Sequence, residues 1–364
     1  MPRGRRGRTQ NSSTGGRQEN VSRPAAGWRP LALMMPLSSW RLAPIDFLLL
    51  LMTLIWGTNY VIVKHAFTEM DPQAFNALRM IVASATFAAV MGWVRWRAAS
   101  RRERPPGGSQ TGGRTPSISS IFHSAEPITG RDWMGLLGLG VVGQCMYQYC
   151  FIAGLSQTSV ANSALLVAIT PVLIALTTAM SGEAAVGRAH WAGAALSVAG
   201  VYIVVGVGAS VGGSSLRGDL TMLAAVLCWT IYTLGARPLM RRHSPVGVTG
   251  LSMLIGCVLY VAAVWPNMRT LELARISGIA WVTIVYSALF ALCIAYTIWY
   301  AAVREIGSAR TSIYSNLVPV VAMLAAVIFL GESLGFRKLL GAAAVLVGVA
   351  LTRVRSEKIT APAE

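Results

Sequence analysis

One charged side chain lies well inside an apolar stretch of the chain. Arg79 falls about two helical turns into the second of these stretches. An unpaired charge there is costly, so we expect Arg79 to face protein or a water-filled cavity. Its guanidinium matches the geometry of a carboxylate, which suggests a site for an acidic group of a substrate. The alternative is a structural ion pair with Asp71 or Glu69 in the preceding loop.

Two groups of polar and aromatic residues have the spacing i, i+3, i+4, which places three side chains on one helix face. The groups correspond to each other in the internal repeat described below. We therefore predict that they face each other across a central pathway. The alternative is hydrogen bonding and aromatic packing between helices. The groups are Gln144, Tyr147 and Gln148, and Tyr296, Trp299 and Tyr300.

Further polar and aromatic residues within apolar stretches are predicted to line the same pathway. Asn59 and Tyr60 lie in the outer half of the first stretch. Lys64, one turn further along, is predicted to extend its ammonium to the membrane interface. The other candidates are Trp56, Asn162, Trp229, Tyr232, Tyr314 and Asn316.

No catalytic or metal-binding motif is visible in the sequence. It contains no phosphate-binding glycine loop, no H-E-x-x-H and no G-x-S-x-G. All 14 acidic residues fall in tails, loops or the ends of apolar stretches, so a proton relay through a membrane-embedded carboxylate is not expected. The five cysteines have no paired spacing and the four histidines are scattered. We predict neither a metal nor a cofactor, and no enzyme activity.

Two prolines and two glutamates have predicted mechanical roles. Pro171 and Pro319 each remove a backbone hydrogen bond in mid-helix, so they are candidate hinges. Glu183 and Glu332 each follow a glycine just after these helices. A carboxylate is favourable near the N-terminus of the next helix, so both are predicted to be structural and to support the short turns.

Composition identifies the chain as an α-helical membrane protein with many spans. Hydrophobic residues make up 54% and charged residues 12%, against about 25% charged in soluble domains. Apolar runs have the length needed to cross a bilayer. The net charge of +17 resides mainly in tails and loops, which indicates membrane topology rather than nucleic-acid binding. Ten spans are predicted, at about 45–67, 73–94, 132–154, 158–180, 188–207, 218–236, 246–265, 277–301, 309–330 and 338–353.

An internal duplication organises these spans into two halves. Residues 147–205 are similar to residues 296–353, and Pro171 aligns with Pro319. The first spans of the two halves align Trp56 with Trp229. Because an odd number of spans precedes the second copy, the halves must have inverted topology, which is typical of secondary transporters. Most Lys and Arg lie on one side, which places both termini in the cytoplasm.

The predicted organisation has four parts. A disordered basic tail (1–40) precedes a first half (45–207), which contains a flexible loop (95–131). A second half (218–353) and a C-terminal tail (354–364) follow.

Over about residues 45–353 the sequence resembles the EamA-type family of the drug/metabolite transporter superfamily. The residues that carry the resemblance are LIWGTNYVIVK (54–64), P-x-x-F-N-A-L-R (72–79), the two proline helices and the paired Gly-Glu turns. The resemblance implies ten helices, cytoplasmic termini, a central cavity lined mainly by spans 1, 3, 4, 6, 8 and 9, and export of amino acids or other small metabolites.

The sequence therefore predicts a secondary transporter or facilitator that exports small metabolites, amino acids or related amphipathic compounds, by alternating access. It is expected in the bacterial cytoplasmic membrane, with a small-molecule substrate and the lipid bilayer as its partners. One alternative is an uptake permease or exchanger for a vitamin, sugar or nucleotide-linked compound. A second is a membrane scaffold without transport. The sequence leaves monomer and homodimer open.

Overall fold

Helices account for all the regular secondary structure of the described residues. A computed structural model describes residues 44–102, 119–122, 124, 126–180, 188–208 and 215–353. The predicted N-terminal tail (1–40), the C-terminal tail (354–364) and Glu183 lie outside these residues.

Six helical segments are long and apolar enough to cross a membrane, by length and composition, among the described residues. Three shorter apolar helices accompany them. Each of the ten predicted spans coincides with helical structure, while the number of crossings beyond six stays a prediction. The α-helices are α1 (Pro44–Ala66), α2 (Pro72–Arg102), α3 (Ser119–Phe122), α4 (Gly130–Leu139), α5 (Tyr147–Gln157), α6 (Val160–Val167), α7 (Thr170–Met180), α8 (Arg188–Gly208), α9 (Leu216–Arg242), α10 (Pro245–Ala263), α11 (Trp265–Arg269), α12 (Gly278–Tyr286), α13 (Ala295–Ser315), α14 (Leu317–Leu330) and α15 (Phe336–Arg353).

Helix α2 is longer than the sequence suggested. It continues to Arg102, into the stretch expected to be a flexible loop. The residues after Trp93 are mostly Ala and Arg, which favour helix. Arg97 also packs its guanidinium over the Trp93 ring at 4.2 Å, and such cation–π contacts are favourable.

The third and eighth predicted spans each contain a wide turn of π-helix. One π-helix, Gly140–Met146, joins α4 to α5. The other, Ser287–Ile294, joins α12 to α13. A short π segment changes which side chains face a neighbouring helix, and such segments are frequent at functional sites.

The two predicted hinge prolines coincide with interruptions of their helices. Helix α6 ends at Val167, four residues before Pro171. Helix α13 ends at Ser315, four residues before Pro319. Proline has no N–H to donate to the carbonyl four residues earlier, so the regular ladder stops there. The hydroxyl of Thr170 donates instead to the carbonyl of Val167, at 2.7 Å.

Small residues bring α8 and α15 into backbone contact. A Cβ added to Gly200 would lie 2.7 Å from the backbone nitrogen of Val345. One added to Gly348 would lie 2.6 Å from the carbonyl oxygen of Gly193. Close packing through small residues is how membrane helices associate.

Candidate functional site

A central cavity lies between helices from both halves of the sequence. Nine of the predicted pathway residues and both hinge prolines line it. They are Trp56, Asn59, Tyr60, Arg79, Tyr147, Gln148, Trp229, Tyr296, Trp299, Pro171 and Pro319.

Arg79 is 1% exposed and supplies the positive charge of the cavity wall. Its Nε donates to the Asn76 side-chain oxygen at 3.0 Å, and its Nη1 donates to the Ser287 hydroxyl at 3.0 Å. Its Nη2 donates to the Gln148 side-chain oxygen at 2.9 Å. All these partners are neutral, and among the described residues no carboxylate lies within 4 Å of the guanidinium.

The structure therefore shows no ion pair of Arg79 with either Asp71 or Glu69, the two alternatives. Asp71 precedes α2, and its Oδ1 accepts the N–H groups of Gln73 and Ala74 at 3.0 and 2.9 Å. Oxygen atoms at this position satisfy the first N–H groups of a helix. The side chain of Asn267 also donates to Asp71, at 3.1 Å. The carboxylate is engaged at the helix end, so Arg79 has no acidic partner in the part of the chain that the structure describes.

Two hydrogen bonds extend the network around Arg79. The amide of Gln148 donates to the Tyr296 hydroxyl at 3.2 Å. The hydroxyl of Ser287 donates to the Asn59 side-chain oxygen at 2.7 Å. Neutral dipoles thus hold the guanidinium in one orientation, which preserves its positive charge for a ligand.

Five aromatic rings form another part of the wall, and we call them the aromatic cage: Trp56, Tyr147, Trp229, Tyr296 and Trp299. The Trp56 ring centroid lies 5.8 Å from that of Trp229 and 5.7 Å from that of Trp299. Tyr147 and Trp229 are 5.1 Å apart. The indole N–H of Trp56 donates to the Ala291 carbonyl at 3.0 Å, which fixes that ring. The cage can hold an apolar or flat group beside Arg79.

Sequence analysis missed Asn76 and Ser287, which orient Arg79. Asn76 lies on the same helix, one turn before Arg79, and that spacing was a usable signal. Ser287 begins the second π-helix, and no sequence feature marked it. Phe151, Ala164 and Val318 also line the cavity. Such apolar residues are common in every span, so they gave no signal.

Six predicted pathway residues do not line the cavity. Gln144, Tyr232 and Tyr300 are completely buried next to it. Asn162 lies on α6 and contacts Asp219, and Tyr314 contacts Asp46. Asn316 lies at the junction of α13 and α14.

Asp219, in the first turn of α9, is completely buried although it lies at the end of a predicted span. Its Oδ1 accepts the Thr158 hydroxyl at 2.5 Å, and its Oδ2 accepts the Asn162 amide at 3.4 Å.

Lys64 contacts the backbone where α5 ends. Its ammonium donates to the carbonyls of Leu155 and Thr158 at 2.7 and 2.9 Å. Lys64 is thus held by backbone carbonyls, and its extension to the membrane interface stays a prediction.

Glu332 supports a different helix from the one expected. It follows Gly331, whose φ of 63° ends α14. Its carboxylate oxygens accept the N–H groups of Val160 and Ala161, at 2.7 and 3.2 Å. These N–H groups begin α6 and have no partner within that helix. Its side chain therefore caps α6 across the bundle, while its predicted role in the turn into the next helix stays a prediction.

Histidine, cysteine and carboxylate side chains form no group of three that could hold a metal within the described part of the chain. The site therefore consists of a fixed cation, hydrogen-bonding amides and hydroxyls, and an aromatic cage. Such a set can bind and release a small amphipathic anion or zwitterion.

Comparison with known proteins identifies the family and the fold of this chain. The model of the EamA-like transporter family matches residues 43–107, 112–206 and 216–354. An uncharacterized transporter of Archaeoglobus fulgidus is 25% identical over 318 residues, which cover 85% of this chain and 98% of that protein. A probable amino-acid metabolite efflux pump of Salmonella typhimurium is 24% identical over 324 residues, covering 83% and 92%. A solved crystal structure has the same fold, with a TM-score of 0.57 and 19% identity over 87% of this chain and 99% of that one.

The family and the names of these relatives are those of transporters rather than enzymes. The chain belongs to the EamA-like transporter family and is a multi-pass small-molecule transporter of the cytoplasmic membrane.

Proposed function

We propose that this protein exports small carboxylate-bearing metabolites, amino acids or related amphipathic compounds, by alternating access. The observation that carries the proposal is the buried guanidinium of Arg79, which has no carboxylate partner among the described residues and lines the central cavity. Burying an unpaired charge is costly. A substrate carboxylate would complete the site.

The aromatic cage favours a substrate that has an apolar part in addition to its carboxylate. An amino acid presents a carboxylate, an ammonium and, in many cases, an apolar side chain. The carboxylate suits Arg79, and the apolar part suits the rings. An ammonium is also compatible with the faces of Trp and Tyr. The Salmonella relative is named as an efflux pump for amino-acid metabolites, which favours the same substrate class.

Corresponding structural features favour a bundle of ten helices in two inverted halves. The π-helices Gly140–Met146 and Ser287–Ile294 occupy corresponding places in the third and eighth predicted spans. Their separation along the chain nearly equals the separation between Pro171 and Pro319, where the other two interruptions lie. A feature repeated in matching places of two halves is expected when the halves exchange roles during transport.

One pair of matching residues suggests how the two ends of the pathway close. Asp46 and Asp219 occupy equivalent positions of the two halves, at the start of α1 and α9. Asp219 contacts Asn162 on the interrupted fourth span, and Asp46 accepts the hydroxyl of Tyr314 on the interrupted ninth span at 2.7 Å. Each aspartate therefore joins the first helix of one half to the interrupted helix of the other half.

In the proposed cycle these two aspartate contacts form and break in alternation. With both termini in the cytoplasm, the Asp46 contact lies at the cytoplasmic end and the Asp219 contact at the outer end. The helix interruptions before the prolines allow the inner and outer parts of spans 4 and 9 to move separately. Substrate enters from the cytoplasm, binds at Arg79 and leaves on the outer side.

Transport by purified protein in proteoliposomes tests the proposal. A panel of radiolabelled amino acids would be measured alongside the corresponding amino alcohols, which lack the carboxylate. We expect saturable transport of amino acids and at least tenfold slower transport of the alcohols. Reversing the concentration gradient distinguishes export from uptake or exchange. Failure to move any carboxylate-bearing compound under any ion gradient would overturn the proposal.

A further inference from the structure

A second group of polar side chains lies buried next to the aromatic cage, and we call it the inner polar cluster: Gln144, Tyr232, Thr233, Thr249, Ser252 and Tyr300. All six residues are 0% exposed. Gln144 donates to the Tyr232 hydroxyl at 2.9 Å, and that hydroxyl lies 3.2 Å from the Ser252 hydroxyl. The rings of Tyr232 and Tyr300 meet edge to face at 5.5 Å.

The hydroxyl of Tyr300 pairs with those of Tyr232 and Thr233. Two other oxygen atoms of the inner polar cluster, the side-chain carbonyl of Gln144 and the hydroxyl of Thr249, have no hydrogen-bond partner among the described residues. Burying such atoms without a partner costs free energy, and valine would fill the space of Thr249 without that cost. Buried polar atoms of this kind are normally satisfied by water or a ligand. The hydrogen bonds from Gln144 to Tyr232 and between Tyr232 and Ser252 join neighbouring helices, but they leave the Gln144 carbonyl and the Thr249 hydroxyl unused.

The position of the cluster connects it to the cavity. On three helices, a step of about one turn leads from a cavity residue to a cluster residue: Gln148 to Gln144, Trp229 to Thr233, and Tyr296 to Tyr300. In the proposed topology all three steps go toward the cytoplasm.

The Tyr232 ring of the inner polar cluster packs closely against the first π-helix. A Cβ added to Gly143 would lie 2.0 Å from the Tyr232 ring. This glycine allows the Tyr232 ring to lie directly against the first π-helix, next to Gln144.

We infer that the inner polar cluster is a second binding site, which takes the ammonium group of an amino-acid substrate on its way from the cytoplasm to Arg79. The two unpartnered oxygens of Gln144 and Thr249 can accept hydrogen bonds, and an ammonium has three to donate. None of the six side chains is charged, so none repels a cation. This inference rests on the proposed function, since it assigns an order of binding to the same transport path.

Conservative substitutions test the inner site. Thr249→Val removes an unpartnered hydroxyl, and Thr233→Val removes the hydroxyl that pairs with Tyr300. Both substitutions keep the side-chain shape. Thr230→Val is the matched control, because Thr230 is buried on the same helix as Thr233 and its hydroxyl donates to the backbone of Val226 at 2.8 Å. Each protein would be assayed with phenylalanine and phenylpyruvate, and with leucine and ketoisocaproate. The members of each pair differ in having an ammonium or a keto group.

We expect both test variants to transport the amino acids about tenfold more slowly, which corresponds to about 1.4 kcal/mol, and to transport the keto acids at the wild-type rate. The melting temperature of Thr249→Val should be unchanged or higher. Equal effects on both members of a pair, or no effect, would overturn the inner site.

A binding measurement separates failure of the inner site from failure of the proposed function. The shift in melting temperature caused by phenylalanine would be compared between wild type and Thr249→Val. If wild-type protein transports nothing but the shift is lost in the variant, the proposed function fails and the inner site stands. If neither transport nor any shift is seen, both are overturned.

Discussion

Arg79→Gln removes the guanidinium from the cavity and keeps a polar side chain. In the proposed complex this guanidinium donates charge-assisted hydrogen bonds to the substrate carboxylate. Hydrogen bonds to charged groups contribute about 1.5–3 kcal/mol. This range corresponds to roughly a 10- to 100-fold loss in the transport efficiency of amino acids. Amino alcohols lack the carboxylate, so their slow transport should change little.

The same substitution has two opposing effects on stability. The side-chain oxygens of Asn76 and Gln148 lose the N–H groups that they accept, and an unsatisfied buried acceptor costs about 1–3 kcal/mol. Removal of a buried, unpaired charge offsets that cost. We therefore expect a small net change in stability, which the melting temperature of the detergent-solubilised protein would show.

Two further variants make the transport comparison sharper. Arg79→Lys keeps the positive charge but cannot donate to three partners in the planar arrangement of a guanidinium. Its rate of amino-acid transport should therefore lie between those of wild type and Arg79→Gln. Arg97→Gln, an exposed position on the same helix, is the matched control and should transport normally. The assay is initial-rate uptake into proteoliposomes over a range of concentrations. Equal losses for amino acids and amino alcohols would refute the role of Arg79 as a carboxylate site.

Three other predictions follow from named contacts. Asp219→Asn should weaken the contact with Thr158 at the outer end of the pathway. A cysteine introduced at Ala164, in the cavity wall, should then react faster with thiol reagents added from outside. An unchanged rate of labelling would argue against closure of the pathway at Asp219. Gly348→Val should lower the melting temperature markedly, because an added Cβ would lie 2.6 Å from the backbone of the neighbouring helix, and a stable variant would contradict this packing. Pro171→Ala should restore helical hydrogen bonding and slow transport severalfold without reducing stability, and a normal rate would remove the hinge role.

Positions set by local chemistry were predictable from the sequence. Proline removes a specific backbone hydrogen bond, and the helices before Pro171 and Pro319 do end four residues earlier. The polarity of Arg79 within an apolar span predicted that it faces protein or a cavity, and it is buried there.

The sequence did not predict which of two neighbouring turns lines the cavity, nor which residues distant in the chain contact each other. Gln144 and Gln148 lie on one face in a regular helix, but the π-helix and the packing around it place only Gln148 in the cavity wall. Glu332 caps a helix that lies far earlier in the chain, in the first half of the sequence. The burial of Asp219 likewise depends on Thr158 and Asn162, which come from the other half of the sequence.

Counterflow in proteoliposomes tests alternating access by this cavity most directly. Vesicles containing wild-type protein would be loaded with unlabelled phenylalanine or leucine, and entry of a trace of the same labelled amino acid would be followed over time. A carrier that returns faster when loaded predicts transient accumulation of label above its external concentration, and Arg79→Gln should abolish it. Label that only equilibrates, at a rate independent of the internal amino acid, would contradict the proposed mechanism.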